Sequence, residues 1–285
     1  MKIKKFFLNI VLKMWHSFLA FWNWFRDTKE SSVQILHLSK NFIIANKSYD
    51  VVMNSDDPSV KVSLQLQLRK LHPELINQKL AHDFHFVHRL DFATSGAVCI
   101  ALHKRAAKAA ATAFETRKTK KYYVAIVRGH VAKELMDITD PIGEDKRERH
   151  GNHRMCLASD PNSCYAKFAH TRLLVLQRGL YGTYPATKVL LRPVTGRRHQ
   201  LRVHCMSIGH TIVGDYTYSN KNDSLPTRMY LHSYRLVIPN DIESIDIQTA
   251  DPFENENNPH TWMVVEALND LDENVFKKLD TQGCF

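Results

Sequence analysis

Residues 88–97, HRLDFATSGA, set one carboxylate, Asp91, between a basic pair and a cluster of small residues that leads into the apolar run VCIAL. A carboxylate at the mouth of a buried strand either closes a turn by bonding its own backbone or does chemistry. A second stretch, TGRRHQLRVHCMSIGHTIVGD (195–215), holds Arg197, Arg198 and Arg202 with no acid before Asp215. On a helix Arg198 and Arg202 lie four apart on one face. One can then reach a phosphate while the other forks onto an interior carboxylate, and Asp91 is the expected partner. A third stretch, 103–128, carries Lys104, Arg105, Lys108, Arg117, Lys118, Lys120, Lys121 and Arg128 against the single acid Glu115, with Tyr122 and Tyr123 inside it. Basic residues interleaved with aromatics suit phosphate contact and base stacking. The same pattern also describes a solvated helix followed by an ordinary strand. The histidine-rich AHDFHFVHRLD, with His82, Asp83, His85, His88 and Asp91, invites a metal reading. Strand alternation sends His85 to the face opposite His82 and His88, so the ligands do not converge and no metal is expected.

The elements that must position these groups are legible in outline. QILHLSKNFIIANKSYDVVMN reads as a hairpin about Ser39, Lys40 and Asn41. SVKVSLQLQLRKLHPEL reads as a helix with Leu64, Leu68 and Leu71 on one face, stopped by Pro73. KRAAKAAATAFETRK is helical by propensity, and KKYYVAIVRGH is a strand ended by Gly129. Residues 143–164 are polar and charged and read as a loop. Strands are expected at AKFAHTRLLVLQ and ATKVLLRPV, and a helix at HQLRVHCMSIG.

The 285 residues, 44% hydrophobic and 24% charged, exclude a chain disordered throughout. Five cysteines with no C-x-x-C pair fit neither a disulfide framework nor a zinc knuckle, so a reducing compartment is expected. The net charge of +10 is uneven: residues 240–285 hold eleven Asp and Glu against Lys277 and Lys278, which leaves +19 on the rest. A body so basic attracts polyanions, nucleic acid first. Residues 1–27 stand apart, with four lysines by residue 13, no acid before Asp27, and dense Phe, Trp and Leu. They read as a membrane-surface or targeting helix, or as an apolar extension packed on the domain.

Four stretches, in order, resemble the RluA family of RNA pseudouridine synthases. RLDFATSG (89–96) matches R-L-D-x-x-T-S-G, and KYYVAIVRG (121–129) matches K-x-Y-x-A-x-V-x-G. TGRRHQLRVH (195–204) is similar to the family's arginine motif and RMYLHSYRLVIP (228–239) to its closing strand. Thr211 replaces a common proline and Ser219 a common glycine, both away from the chemistry. The resemblance implies an α/β (α+β) fold, with a central mixed, largely antiparallel β-sheet, flanking helices and an RNA-binding cleft. It implies Asp91 as catalytic carboxylate, Tyr123 against the target base, and Arg202 at the same centre. Arg89, Lys121, Arg197, Arg198 and His199 are the implied RNA contacts. The expected reaction turns uridine into pseudouridine in rRNA, tRNA or mRNA with no metal or organic cofactor; a non-catalytic RNA-binding protein on the same fold is the alternative. The expected division is an apolar basic segment at 1–30, a catalytic domain at 33–262 and an acidic tail at 263–285. A monomer is expected, in the mitochondrion or the cytoplasm.

Overall fold

The computed structural model describes residues 33–147, 154–254 and 262–281. The segment 1–30, and with it the membrane and targeting expectation, lies outside the described residues. Strands β1 (Gln34–Leu38) and β2 (Phe42–Lys47) form the expected antiparallel hairpin. Its turn is closed by Ser39, whose Oγ accepts from the backbone N–H of Asn41 and Phe42, both at 3.1 Å. Helix α1 (Leu64–Leu71) starts at Ser63, whose Oγ accepts from Leu66 N at 3.1 Å, and stops before Pro73. Leu64 and Leu68 enter the core, whereas Leu71 is half exposed.

There follow β3 (His85–Phe86), β4 (Ser95–Ala101), α2 (Lys104–Glu115), β5 (Lys120–Arg128) and β6 (Leu135–Ile138). The stretch read as a loop is partly ordered sheet: β7 (Ile142–Asp145), β8 (Met155–Leu157) and β9 (Ser163–Lys167) make a separate three-stranded sheet, β8-β7-β9. Charged residues hide these strands from a pattern of apolar alternation, because Arg147 sits on the buried carboxylate of Asp145 through two short bonds, 2.8 and 2.7 Å. The long hairpin β10 (Thr171–Tyr181) and β11 (Tyr184–Pro193) is followed by α3 (Gln200–Ser207), β12 (Leu231–Ile238), β13 (Ile245–Gln248), β14 (Trp262–Ala267) and α4 (Glu273–Asp280).

The main sheet runs β1-β2-β4-β12-β5-β11-β10-β14, with β3 on β4, β13 on β12 and β6 on β10. Every pairing is antiparallel except β4 with β12, so the sheet is mixed and largely antiparallel as expected. Alternation along β5 feeds two cores. Tyr123, Ala125 and Val127 join α1 and α3 on one face, and Tyr122, Val124 and Ile126 join α4 on the other. The expected boundary at 262 falls on the first residue of β14. Residues 262–267 pair with β10, and Val275, Phe276 and Leu279 of α4 are buried against the second core. The acidic composition of 263–285 masks this apolar spacing: Glu273 is exposed, Asp272 caps α4 by accepting from Asn274 N and Val275 N, and Asp280 turns inward to pair with Arg192 of the sheet.

Candidate active site

Asp91 stands just before β4, the strand that runs fully buried through the middle of the sheet. Its own carbonyl accepts from Thr94 N at 3.1 Å, so the backbone does turn here, but the carboxylate is not used to close the turn. Two features fix the segment. Gly96, at φ +113°, crosses β12 so closely that a Cβ would come within 2.3 Å of Ser233 O, which requires glycine at that position. Lys47, fully buried at the end of β2, donates to Phe92 O at 3.1 Å and to Val51 O at 2.7 Å. Ser95 Oγ adds a 2.7 Å bond to His232 Nδ1, joining β4 to β12 by side chains as well as backbone.

The Asp91 carboxylate is 23% exposed and faces Arg202 Nη1 at 3.7 Å and His199 Nε2 at 3.8 Å. The expected fork of Arg202 on Asp91 is therefore corrected. Arg202 forks instead onto Asp215, Nε to Oδ2 at 2.7 Å and Nη2 to Oδ1 at 2.8 Å, and turns only its remaining nitrogen toward Asp91. The physical reason is burial. The Asp215 side chain is fully enclosed, so its charge must be met by a buried partner, while Asp91 keeps access to the cleft. Oδ1 of Asp215 also accepts from Thr217 N and Tyr218 N, both at 3.1 Å. Burial works against the Arg202 charge, but the Asp215 bonds and charge, with that of Asp91, outweigh it and hold the guanidinium above its usual range.

His199 begins α3 in the left-handed region, at φ 52°, a conformation unusual for a residue with a side chain. Its Nδ1 lies 3.0 Å from Tyr218 Oη, which already receives Met155 N–H. Burial, partly opposed by Asp91, holds the imidazole down at about 4, so the ring is neutral near pH 7. His199, expected as an RNA contact, thus stands in the cleft beside the carboxylate.

Tyr123 and Lys121 project from the same face of β5 into the cleft, and Tyr122 from the other, where its hydroxyl donates to Asp280 at 2.6 Å. Burial first, with the charge of Asp91, pushes the Tyr123 hydroxyl up, against an opposing interaction with the Ser233 side chain. It stays protonated throughout the physiological range. Burial lowers the Lys121 ammonium to about 8; Gly196 leaves it room, since a Cβ there would lie 3.4 Å from Nζ. These groups line a cavity of about 610 Å³ that also takes in Arg89, Arg197 and Arg198, within the range of about 300–1,000 Å³ usual for ligand sites. Arg89 and Arg198 are exposed, whereas Arg197 is tied back through Nε to Phe168 O at 2.9 Å.

All eight expected site residues therefore line one cleft. Two residues that build it escaped the sequence. Asp215 was legible only as the first acid after the arginine run. Gln200 is buried and accepts from Thr195 Oγ1 at 2.6 Å and Arg197 N at 3.0 Å, while donating to His170 O and Thr171 Oγ1, both at 2.9 Å, so it pins the TGRR turn to β10. The histidine cluster disperses, His88 accepting from Cys99 N at 2.8 Å and His82 lying 3.8 Å from Asp56. Among the described residues no group of three His, Cys, Asp or Glu could hold a metal ion.

Comparison with known proteins gives one answer. Residues 41–207 match the model of the RNA pseudouridylate synthase family. The human RNA pseudouridylate synthase domain-containing protein 1 is 42% identical over 224 residues, 78% of this chain and 72% of its own length. The dual-specificity RNA pseudouridine synthase RluA of Salmonella typhi is 33% identical over 220 residues, 75% of this chain and 90% of its own. The solved structure of human RNA Pseudouridylate Synthase Domain Containing 1 superposes with a TM-score of 0.77 at 38% identity, covering 88% of this chain and 96% of that one.

Proposed function

The chain belongs to the RluA-type RNA pseudouridine synthases, isomerases that act on RNA, and from that premise we propose that Asp91 is the carboxylate that turns uridine into pseudouridine. The observation that carries this reading is the Asp91 side chain itself. Among the described residues it has no hydrogen-bond partner, only a guanidinium and a neutral imidazole just beyond bonding distance, and it opens into the cleft.

The reaction breaks the N1–C1′ bond, turns the uracil, joins C5 to C1′ and releases the C5 proton as N1 gains one. Substrate and product are isomers, so no electrons enter or leave. Asp91 acts on the ribose, by attack at C1′ or by removing the C2′ proton; either step needs the carboxylate unpaired and aimed at the sugar. Tyr123 offers its ring to the extruded uracil and, being protonated, its hydroxyl as a relay for the C5 proton. Arg202 and His199 hold the space around Asp91, and Arg89, Arg198 and Lys121 contact the RNA backbone. Extruding a paired base costs a few kcal/mol, which favours uridines in loops and single strands.

The test is Asp91→Asn, assayed by tritium release from RNA carrying 5-tritiated uridine. The variant is expected to fold and to bind RNA like the wild type, because phosphate contacts come from other residues, and to release no tritium. Product formed at the wild-type rate overturns the role of Asp91.

A further inference from the structure

Asp91 does not sit at the end of one cavity but on the wall between two. A second cavity, of about 560 Å³, lies on its other side and shares Arg89, Asp91, Arg198, His199 and Arg202 with the first. Its rim carries two aromatic rings that the folded chain leaves open, Phe92 at 54% exposure and Tyr216 at 53%. Each ring immediately follows one of the two carboxylates that Arg202 faces, Asp91 and Asp215.

Neither ring stands on a loose backbone. Phe92 O is held by the buried ammonium of Lys47 at 3.1 Å. Tyr216 N donates to Gly214 O at 3.1 Å and Tyr216 O accepts from Lys221 N at 2.9 Å. Large rings held open on a fixed frame leave apolar area in water, and a partner that covers them gains by removing it. The charge around them identifies the partner. Asp215 is committed to Arg202, Asp223 to Arg128 at 2.8 and 2.5 Å, and Asp50 is engaged as well. Arg89 and Arg198, on the wall common to both cavities, have no partner among the described residues. A flat apolar surface beside two uncommitted guanidinium groups fits a base joined to a phosphate.

We propose that the second cavity is a subsite for the nucleotide next to the target uridine, its base against Phe92 and Tyr216 and the phosphate that links it to the uridine held by Arg89 and Arg198. The proposal rests on the first cavity holding the uridine. It makes the enzyme read a dinucleotide step, through stacking area more than through base edges, so purines are favoured over pyrimidines at the neighbouring position.

The experiment uses short single-stranded RNAs with one uridine and 2-aminopurine either 5′ or 3′ to it, bound to the full chain. Fluorescence is expected to be quenched strongly on one side only. Phe92→Ala and Tyr216→Ala, both at exposed positions that the core does not need, are each expected to relieve the quenching and weaken binding about 5- to 150-fold, the range for loss of base–aromatic stacking. An abasic site on the quenched side is expected to cause a loss in the wild type at least as large as either variant's, and a smaller loss in each variant, which keeps only one of the two rings. Quenching that is the same in wild type and variants, or losses from variant and abasic site that multiply, overturns the subsite. Asp91→Asn separates this from the proposed function: product from that variant sinks the role of Asp91, while quenching still reports on the subsite.

Discussion

Asp215→Asn is the sharpest test of how this cleft is built. Asp215 accepts four hydrogen bonds in full enclosure, two from the Arg202 fork and two from backbone N–H groups. Asparagine can supply only one acceptor oxygen. Its amide then sets a donor against a guanidinium donor, and the buried cation loses its counter-charge. Breaking a buried pair from one side costs about 3–5 kcal/mol. Here the low end applies, about 3 kcal/mol, because Arg202 has a fallback partner in Asp91 at 3.7 Å. At about 2–4 °C per kcal/mol for a protein of this size class, the melting temperature falls by about 6–12 °C. Activity falls for a separate reason: the guanidinium swings onto Asp91 and draws it off the sugar, and a misplacement of about 1 Å at a reacting group costs on the order of 10²-fold. Calorimetry reads the first effect and tritium release the second. The double variant Asp215→Asn, Asp91→Asn removes the fallback, so it melts lower than Asp215→Asn alone. An unchanged melting temperature refutes the anchoring pair, and a lowered one with full turnover refutes its connection to Asp91.

Three further outcomes follow from the same geometry. Arg202→Lys keeps the charge but can make only one of the two bonds to Asp215 while reaching toward Asp91; it loses about 1.5–3 kcal/mol of stability and most turnover, and wild-type turnover contradicts the need for a fork. Lys121, held at about 8 against an ordinary 10.5, binds fewer protons folded than unfolded between those values, so in free protein its contribution to stability rises with pH across that window. A phosphate beside it favours the protonated form; RNA affinity therefore weakens as pH rises past about 8, and Lys121→Arg removes that part of the slope, whereas identical slopes exclude the phosphate contact. Tyr123→Phe keeps the ring and loses the hydroxyl, so RNA binding holds while turnover drops, and unchanged turnover excludes the hydroxyl as proton relay.

The sequence carried the site well and its supports poorly. Asp91, Tyr123 and the arginine run were found through short motifs whose residue types are set by chemistry or by a single close approach, as with Gly96 against Ser233. The strands β2, β4, β5 and β11 were legible because each is an apolar, β-branched run crossing the middle of a sheet. What stayed hidden depends on pairings between distant segments. Nothing local says that Arg202 belongs to Asp215, because the loop joining them must fold before the carboxylate is enclosed. Nothing local shows that α4 is part of the core, since Val275, Phe276 and Leu279 are outnumbered by the charged residues of the same short helix. The small sheet β8-β7-β9 failed for a like reason, its strands being short and its buried polar group, Asp145, being satisfied from side chains.

The way Arg202 divides its nitrogens leaves the Asp91 carboxylate free for the role proposed for it. A buried guanidinium must be neutralised, and a carboxylate that does so with both oxygens is no longer free to meet a substrate. With Asp91 alone beside it, Arg202 would close the bidentate pair expected from sequence and the site would be occupied by its own side chains. Asp215 removes that outcome by taking the fork inside the protein, and His199 fills the second approach to Asp91 with a neutral ring. Asp91 is left with charge nearby but no bond to break; on its proposed role this lowers the reorganisation needed when the sugar arrives. Phe92 and Tyr216 are carried by the segments that present these two carboxylates to Arg202. On the roles proposed for Asp91 and for the second cavity, Arg202 faces both the reacting carboxylate and the segment that carries Tyr216, so a change that loosens Arg202 is expected to alter turnover and neighbour preference together.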